Sequence, residues 1–351
     1  MRKILVVSSS PVERKIVSQM LQEAKYFVET ARNGKELTDA LKKKNWDLII
    51  LDIKVLKQEG LNLIKETLKL KPIRVLIITD KENIDLAEEA LKAGALDFIE
   101  KKGSVATTLN QIKKELLEKV QQLLKVPKFE VLTGKTLKKK KEENSSKKIF
   151  LEPSEDMKYI LIGSSTGGPG HIEEIARALP KDYPYPICVV QHMPTNFTKK
   201  FAERLDSISK VKVVEASNGE ELTPGKMIIG KGGWHLHFMR RPGDNKVVCK
   251  LVPNTSKRFF VPSVDEMYFS ALKVLNPENV VAILLTGIGD DGADGMVALK
   301  KAGAYTIAES EETAAVYGMP KEAYLRGGTV EVLPFPKIVE RILELGESNG
   351  I

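Results

Sequence analysis

The sequence predicts two doubly wound α/β domains in series, the second carrying an antiparallel hairpin insert. At 351 residues the chain is longer than one hydrophobic core usually serves. Short apolar runs alternate with helix-like segments at βα spacing on both sides of a lysine-rich stretch. Between Gly233 and Pro253 the rhythm changes to two short runs joined by Pro242-Gly243-Asp244-Asn245, which reads as a hairpin. The expected units are residues 1–125, a linker over 126–156, and residues 157–351.

In the first unit, strands are expected at Lys3 to Ser8, Tyr26 to Ala31, Trp46 to Ile53, Arg74 to Asp80 and Asp97 to Lys101. Ser10-Pro11-Val12-Glu13 opens the first helix: serine as N-cap, proline in the first turn, and glutamate placed to close a capping box. Gly94 ends the helix before the fifth strand. Five strands and five helices make a doubly wound unit. In the second unit, strands are expected at Tyr159 to Ser164, Ile187 to Gln191, Val211 to Ala216, Lys226 to Ile229, Val280 to Thr286, Tyr305 to Ala308 and Thr329 to Leu333.

The net charge of +8 invites a nucleic-acid reading, but its location argues against one. Nine Lys and three Glu lie between Lys125 and Lys148, so most of the excess sits in a segment with few apolar anchors, a solvated linker. The second unit is also too long for a DNA-binding output domain and shows no basic recognition helix. No apolar run approaches the ~18 residues of a membrane span, and the start Met1-Arg2-Lys3 lacks a signal-peptide layout, so a cytoplasmic protein is expected. Cys188 and Cys249 sit singly in apolar stretches, as reduced core residues do.

Three polar segments each follow an apolar strand, and ligands bind at the carboxyl ends of strands in open α/β sheets. Gly163-Ser164-Ser165-Thr166-Gly167-Gly168 has the glycine-flanked serine of a nucleophile elbow. Amides at the following helix start suit an oxyanion. Such a turn also cradles phosphates, although the Lys-Ser/Thr of a P-loop is missing. Gln191-His192 ends the next strand, and Gly287-Ile288-Gly289-Asp290-Asp291-Gly292 ends a third. Together they supply the serine, histidine and carboxylate of acyl-transfer chemistry in the chain order Ser, His, Asp, unlike the Ser, Asp, His order of α/β-hydrolases. On residue chemistry alone, Asp290 and Asp291 are equivalent.

The strings Ile162 to Pro169, Val189 to Pro194 and Leu285 to Gly292, with Pro262-Ser263-Val264-Asp265 and Tyr317 to Lys321, resemble the chemotaxis protein-glutamate methylesterases. The resemblance implies Ser165 as nucleophile, His192 as general base, Asp291 as orienting carboxylate, and loop support for the oxyanion from Thr166, Gly167 and Ile288. It implies hydrolysis of glutamate methyl esters and deamidation of glutamines on the cytoplasmic helices of methyl-accepting chemoreceptors, without a cofactor. The competing reading is a non-catalytic signalling adaptor. Departures from the family pattern fall at Ile229 to Leu236 and at Val261.

The first unit resembles a flavodoxin-like two-component receiver, with Asp52 as phosphoacceptor candidate and Thr79 and Lys101 as its helpers, phosphorylated by a chemotaxis histidine kinase. Receivers hold Mg²⁺ on an acidic pair at the end of the first strand. Here Ser8 and Ser9 stand there, and neutral hydroxyls are poor substitutes for carboxylates, so weak or lost Mg²⁺-dependent phosphorylation is expected and no metal site is assigned. Lys54-Val55-Leu56-Lys57 also stands where a Met-Pro turn is common.

Overall fold

The computed structural model describes residues 1–71, 73–101, 112–124, 159–255 and 258–347. The stretch expected as a linker, 126–156, lies outside them. Two compact units divide the chain, Met1–Ser146 and Lys147–Ile351.

The first unit runs β1 (Lys3–Val7), α1 (Pro11–Glu23), β2 (Phe27–Ala31), α2 (Gly34–Lys43), β3 (Leu48–Asp52), α3 (Ile53–Glu59), α4 (Asn62–Leu70), β4 (Arg74–Asp80), α5 (Ile84–Lys92), β5 (Asp97–Lys101) and α6 (Lys113–Leu123). Its five strands are all parallel in the order β2-β1-β3-β4-β5. β3 is buried along its whole length, as a central parallel strand covered on both faces must be. The expected strand at Trp46 to Ile53 is shorter at both ends. Trp46 is buried ahead of it with Nε1 donating to Ala40 O at 3.0 Å, and Ile53 already belongs to α3. That additional helix forms because the Asp52 side chain caps it, accepting from Lys54 N, and no Gly or Pro interrupts the run before Gly60. At α1 the capping box is half made. Ser10 Oγ accepts from Glu13 N at 3.3 Å, but the Glu13 side chain turns inward instead of back to Ser10.

The second unit runs β6 (Tyr159–Ser164), α7 (Gly168–Ala178), β7 (Ile187–Gln191), α8 (Phe197–Ile208), β8 (Lys212–Glu215), β9 (Lys226–Ile229), β10 (His235–Arg240), β11 (Val247–Val252), α9 (Val264–Val274), β12 (Val280–Leu284), α10 (Ala293–Lys301), β13 (Tyr305–Glu309), α11 (Met319–Leu325), β14 (Glu331–Leu333) and α12 (Phe335–Glu347). Seven parallel strands order as β14-β13-β12-β6-β7-β9-β8, and β10 and β11 form the separate antiparallel hairpin. The hairpin's inner face, Leu236, Phe238, Val247 and Cys249, joins the core under α9, and Ser270 Oγ of α9 accepts from Phe238 N at 2.8 Å. From β6 the chain moves to β7 on one side, and it later returns to β12 on the other. β6 and β12 therefore flank the switch point at which α/β sheets place their ligands.

Candidate active site

Ser165 follows the end of β6 and His192 the end of β7, while Asp291 lies in the loop after β12. The elbow is fixed by backbone: Ser165 N donates to Thr286 O at 2.9 Å, Gly168 N to Ser165 O at 2.9 Å, and His192 N to Ser164 O at 3.0 Å. The Gln191 amide ties it again, Nε2 donating to Ser165 O at 2.8 Å while Oε1 accepts from Ser164 Oγ at 2.6 Å. Two glycines have no substitute here. A Cβ on Gly163 would fall 2.3 Å from Val264 Cγ1, and Gly167 has φ +83° with Ala315 Cβ only 2.6 Å from where its own would be.

His192 Nε2 lies 2.7 Å from Asp291 Oδ2, with both side chains buried. Because Asp291 is an acceptor, the ring proton is assigned to Nε2, which leaves a lone pair on Nδ1. That Nδ1 is buried and makes no hydrogen bond. Phe260 covers the ring face, with centroids 4.0 Å apart and planes 7° from parallel, and Phe259 meets Phe260 edge-on at 4.9 Å.

Asp291 is received by the N-terminus of α9. Ser263 Oγ (2.7 Å) and Asp265 N (3.1 Å) donate to Oδ1, and Val264 N (2.7 Å) donates to Oδ2. Burial alone would raise this carboxyl. Hydrogen bonds from His192, then Ser263 and Val264, hold it below the usual carboxylate range, and the helix dipole acts in the same sense. The neighbouring Asp265 shows the other outcome: burial and the Asp291 charge push it up to about 7. The structure also separates the two aspartates that residue chemistry leaves equivalent. Asp290 faces outward onto Arg326 Nη2 at 2.6 Å.

Of the loop residues, Thr166 is buried with its carbonyl accepting from Thr286 Oγ1 at 2.8 Å, Gly167 immediately precedes α7, and Ile288 is buried in the loop before Asp290. Sequence reasoning missed the duties of Gln191, Phe260 and Ser263. For Ser263 a signal existed, since Ser263-Val264-Asp265-Glu266 is a readable helix start and such starts bind anions.

In the first unit, Asp52, Thr79 and Lys101 are buried at adjoining strand ends, but Thr79 Oγ1 donates to backbone carbonyls of Asp80 and Asn83 rather than toward Asp52. Ser8 is buried beside them and Ser9 is exposed. The carboxylate missing from the end of β1 is supplied from α1. Glu13 Oε1 lies 2.7 Å from Lys101 Nζ, and Ser8 Oγ sits between Glu13 Oε2 (3.0 Å) and Asp52 Oδ2 (2.9 Å). Lys101 Nζ is 3.6 Å from Asp52 Oδ1. Burial and the adjacent Glu13 push Asp52 up to about 6. Glu13 stays low despite its burial, because Asp52, Lys101 and Ser8 hydrogen-bond to it. As a test for Mg²⁺, this donor set does not fit: Glu13 is already paired with Lys101 and Ser8 Oγ lies between Glu13 and Asp52, so a dication would have to displace the ammonium. Among the described residues, no group of three or more His, Cys, Asp or Glu could hold a metal.

A parallel sheet that brings a serine on a glycine-flanked turn to the same strand ends as a carboxylate-paired histidine defines a serine-hydrolase type of unit, here in series with a receiver type. The chain belongs to the CheB methylesterase family. The family model described as CheB methylesterase matches residues 160–342, and that of the response regulator receiver domain matches residues 4–113. A protein-glutamate methylesterase/protein-glutamine glutaminase 2 of Carboxydothermus hydrogenoformans is 36% identical over 348 residues, 98% of each chain. A protein-glutamate methylesterase/protein-glutamine glutaminase of Archaeoglobus fulgidus is 39% identical over the same length and the same shares. The crystal structure of the Thermotoga maritima CheB methylesterase catalytic domain is 42% identical at a TM-score of 0.51, covering 54% of this chain and 98% of that one.

Proposed function

We propose that this chain hydrolyses γ-methyl esters of glutamate, and deamidates glutamines, on the cytoplasmic helices of chemoreceptors, through Ser165, His192 and Asp291. Ser165 Oγ attacks the ester carbonyl carbon as its proton passes to His192 Nδ1. The resulting imidazolium is stabilised by Asp291, already fixed by three donors of α9. Amides of Thr166 and Gly167, at the start of α7, with the Ile288 loop opposite, receive the oxyanion. Collapse expels methanol, or ammonia from a glutamine, with the proton returned from Nδ1. Water then attacks the acyl-enzyme by the same route and regenerates Ser165. Every proton in this scheme is carried by a side chain, so no cofactor is called on. The observation that carries the reading is the His192 ring, bound at Nε2 by Asp291 with its buried Nδ1 unpartnered. No helix among the described residues is long and apolar enough to cross a membrane, and substrate helices would be met at the membrane's cytoplasmic side.

The receiver is read as a unit that has its own internal cation. With Lys101 committed to Glu13, Asp52 accepts a phosphoryl group from a histidine kinase or small donor weakly, and Mg²⁺ does not assist it. The test is methanol release from methylated chemoreceptor membranes by the full chain and by Ser165→Ala, each with and without Mg²⁺ and a small phosphodonor. Release should fall by a factor of ~10⁴ or more in the variant and ignore the donor. Absence of release from both proteins would favour the adaptor, and strong stimulation by the donor would overturn the receiver reading.

A further inference from the structure

A second carboxylate–imidazole pair lies beside the nucleophile, outside the triad. Glu309, the last residue of β13, has no exposed surface. Both its oxygens are in use. Oε2 accepts from Thr286 N at 2.7 Å, and Oε1 lies 2.9 Å from His171 Nε2 and accepts from Thr313 Oγ1 at 2.9 Å. Thr286 is in turn the residue on which the elbow hangs. Its carbonyl accepts from Ser165 N at 2.9 Å, and its hydroxyl donates to Thr166 O at 2.8 Å and accepts from Val316 N at 2.9 Å. His171 belongs to the first turn of α7, the helix that begins just after the elbow, and its ring stacks on Phe335 at 3.7 Å. Glu309 thus reaches both sides of Ser165: the β12 side through Thr286 and the α7 side through His171.

A neutral acceptor would satisfy Thr286 N equally well. A fully buried carboxylate is costly unless it is paired and hydrogen-bonded on all sides, and an anion here draws an imidazole from the helix that a neutral group would leave free. The return on that cost is rigidity where near-attack geometry is sensitive to small displacements. We propose that Glu309 and His171 form a positioning pair for the nucleophile, locking Thr286 and the first turn of α7 so that the Ser165 hydroxyl and the amides that follow it are held for attack. This rests on the reading of Ser165 as the nucleophile.

The test uses the full chain and measures two rates: kcat and KM on methylated chemoreceptor membranes, and the second-order labelling of Ser165 by a fluorophosphonate, with Ser165→Ala as the blank. Labelling of the parent chain that is absent from the blank establishes the nucleophile independently, and its failure would count against that reading rather than against the pair. Given labelling, His171→Ala and Glu309→Ala should each lower kcat and the labelling rate about 10- to 100-fold with KM within about twofold. Glu309→Gln, whose amide oxygen still accepts from Thr286 N but whose neutral side chain no longer draws His171, should lose about as much as His171→Ala. Adding His171→Ala to Glu309→Ala should cost little more, because the two act as one unit. If Glu309→Ala fails to fold, His171→Ala and Glu309→Gln decide alone. A folded His171→Ala with parental kcat and labelling rate overturns the proposal, as does an effect confined to KM.

Discussion

Replacing Ser263 by alanine removes two interactions that the structure assigns to one hydroxyl. It is the N-cap of α9, accepting from Glu266 N at 3.3 Å, and it donates to Asp291 Oδ1 at 2.7 Å. A lost cap costs about 1 kcal/mol and a lost hydrogen bond to a charged group about 1.5–3 kcal/mol, so the esterase unit should lose about 3 kcal/mol. The catalytic effect should be smaller. Asp291 keeps Val264 N, Asp265 N and His192, so the imidazole stays paired while the carboxylate loses one of the donors that hold its proton affinity down. A drop in kcat of about tenfold, or roughly 1.4 kcal/mol, is expected with KM unchanged. Urea unfolding followed by circular dichroism gives the first quantity and methanol release the second. Ser263→Thr, which keeps the hydroxyl, is the control and should sit near the parent in both. Stability within about 0.5 kcal/mol and kcat within about twofold of the parent for Ser263→Ala would show that the helix start does not hold Asp291 as argued.

Two further outcomes follow from the geometry. Asp52→Asn should stabilise the receiver with a pH-dependent gain: the buried carboxyl is raised from 3.8 to about 6, so the fold favours its protonated form, and the contribution present at low pH is lost as pH rises through about 6. At pH 7.5 the gain should approach about 3 kcal/mol and it should shrink toward pH 4, as read from the receiver's calorimetric transition; a gain independent of pH refutes the coupling. Gly167→Ala should lose about 2 kcal/mol or more from positive φ and the clash with Ala315, together with nearly all esterase activity, and parental activity in this variant would refute the elbow geometry.

Both sheets were legible because parallel strands covered on two faces read as unbroken apolar runs, Leu48-Ile49-Ile50-Leu51 and Val280-Val281-Ala282-Ile283-Leu284 being the clearest. The hairpin was legible from its turn residues. Boundaries blurred where polar capping outweighed apolar character, as at Asp52, which turns Ile53 from a strand residue into the first residue of a helix. Ser165 and His192 were visible as polar residues at strand ends, whereas the choice of Asp291 over Asp290 depends on the start of α9, a segment remote in sequence. Glu13 was misjudged for the same reason. A capping motif states where a helix begins, but the inward turn of its side chain is decided by Lys101, 88 residues away.

Ser165, His192 and Asp291 leave from β6, β7 and β12, three neighbouring strands of one hydrogen-bonded sheet. The spacing of Ser165 and His192 is therefore set by the repeat of backbone pairing, about 4.8 Å per strand, while Asp291, in the loop after β12, is placed by the start of α9. The aromatic pair that covers the His192 ring, Phe259 and Phe260, attaches elsewhere, ahead of α9, and the segment before the hairpin is tied to it by Gly233 N donating to Val261 O at 3.1 Å. The strand ends and the cover over the imidazole thus occupy separate parts of the chain. The cover over the imidazole can therefore change in sequence without moving the strand ends that carry Ser165 and His192.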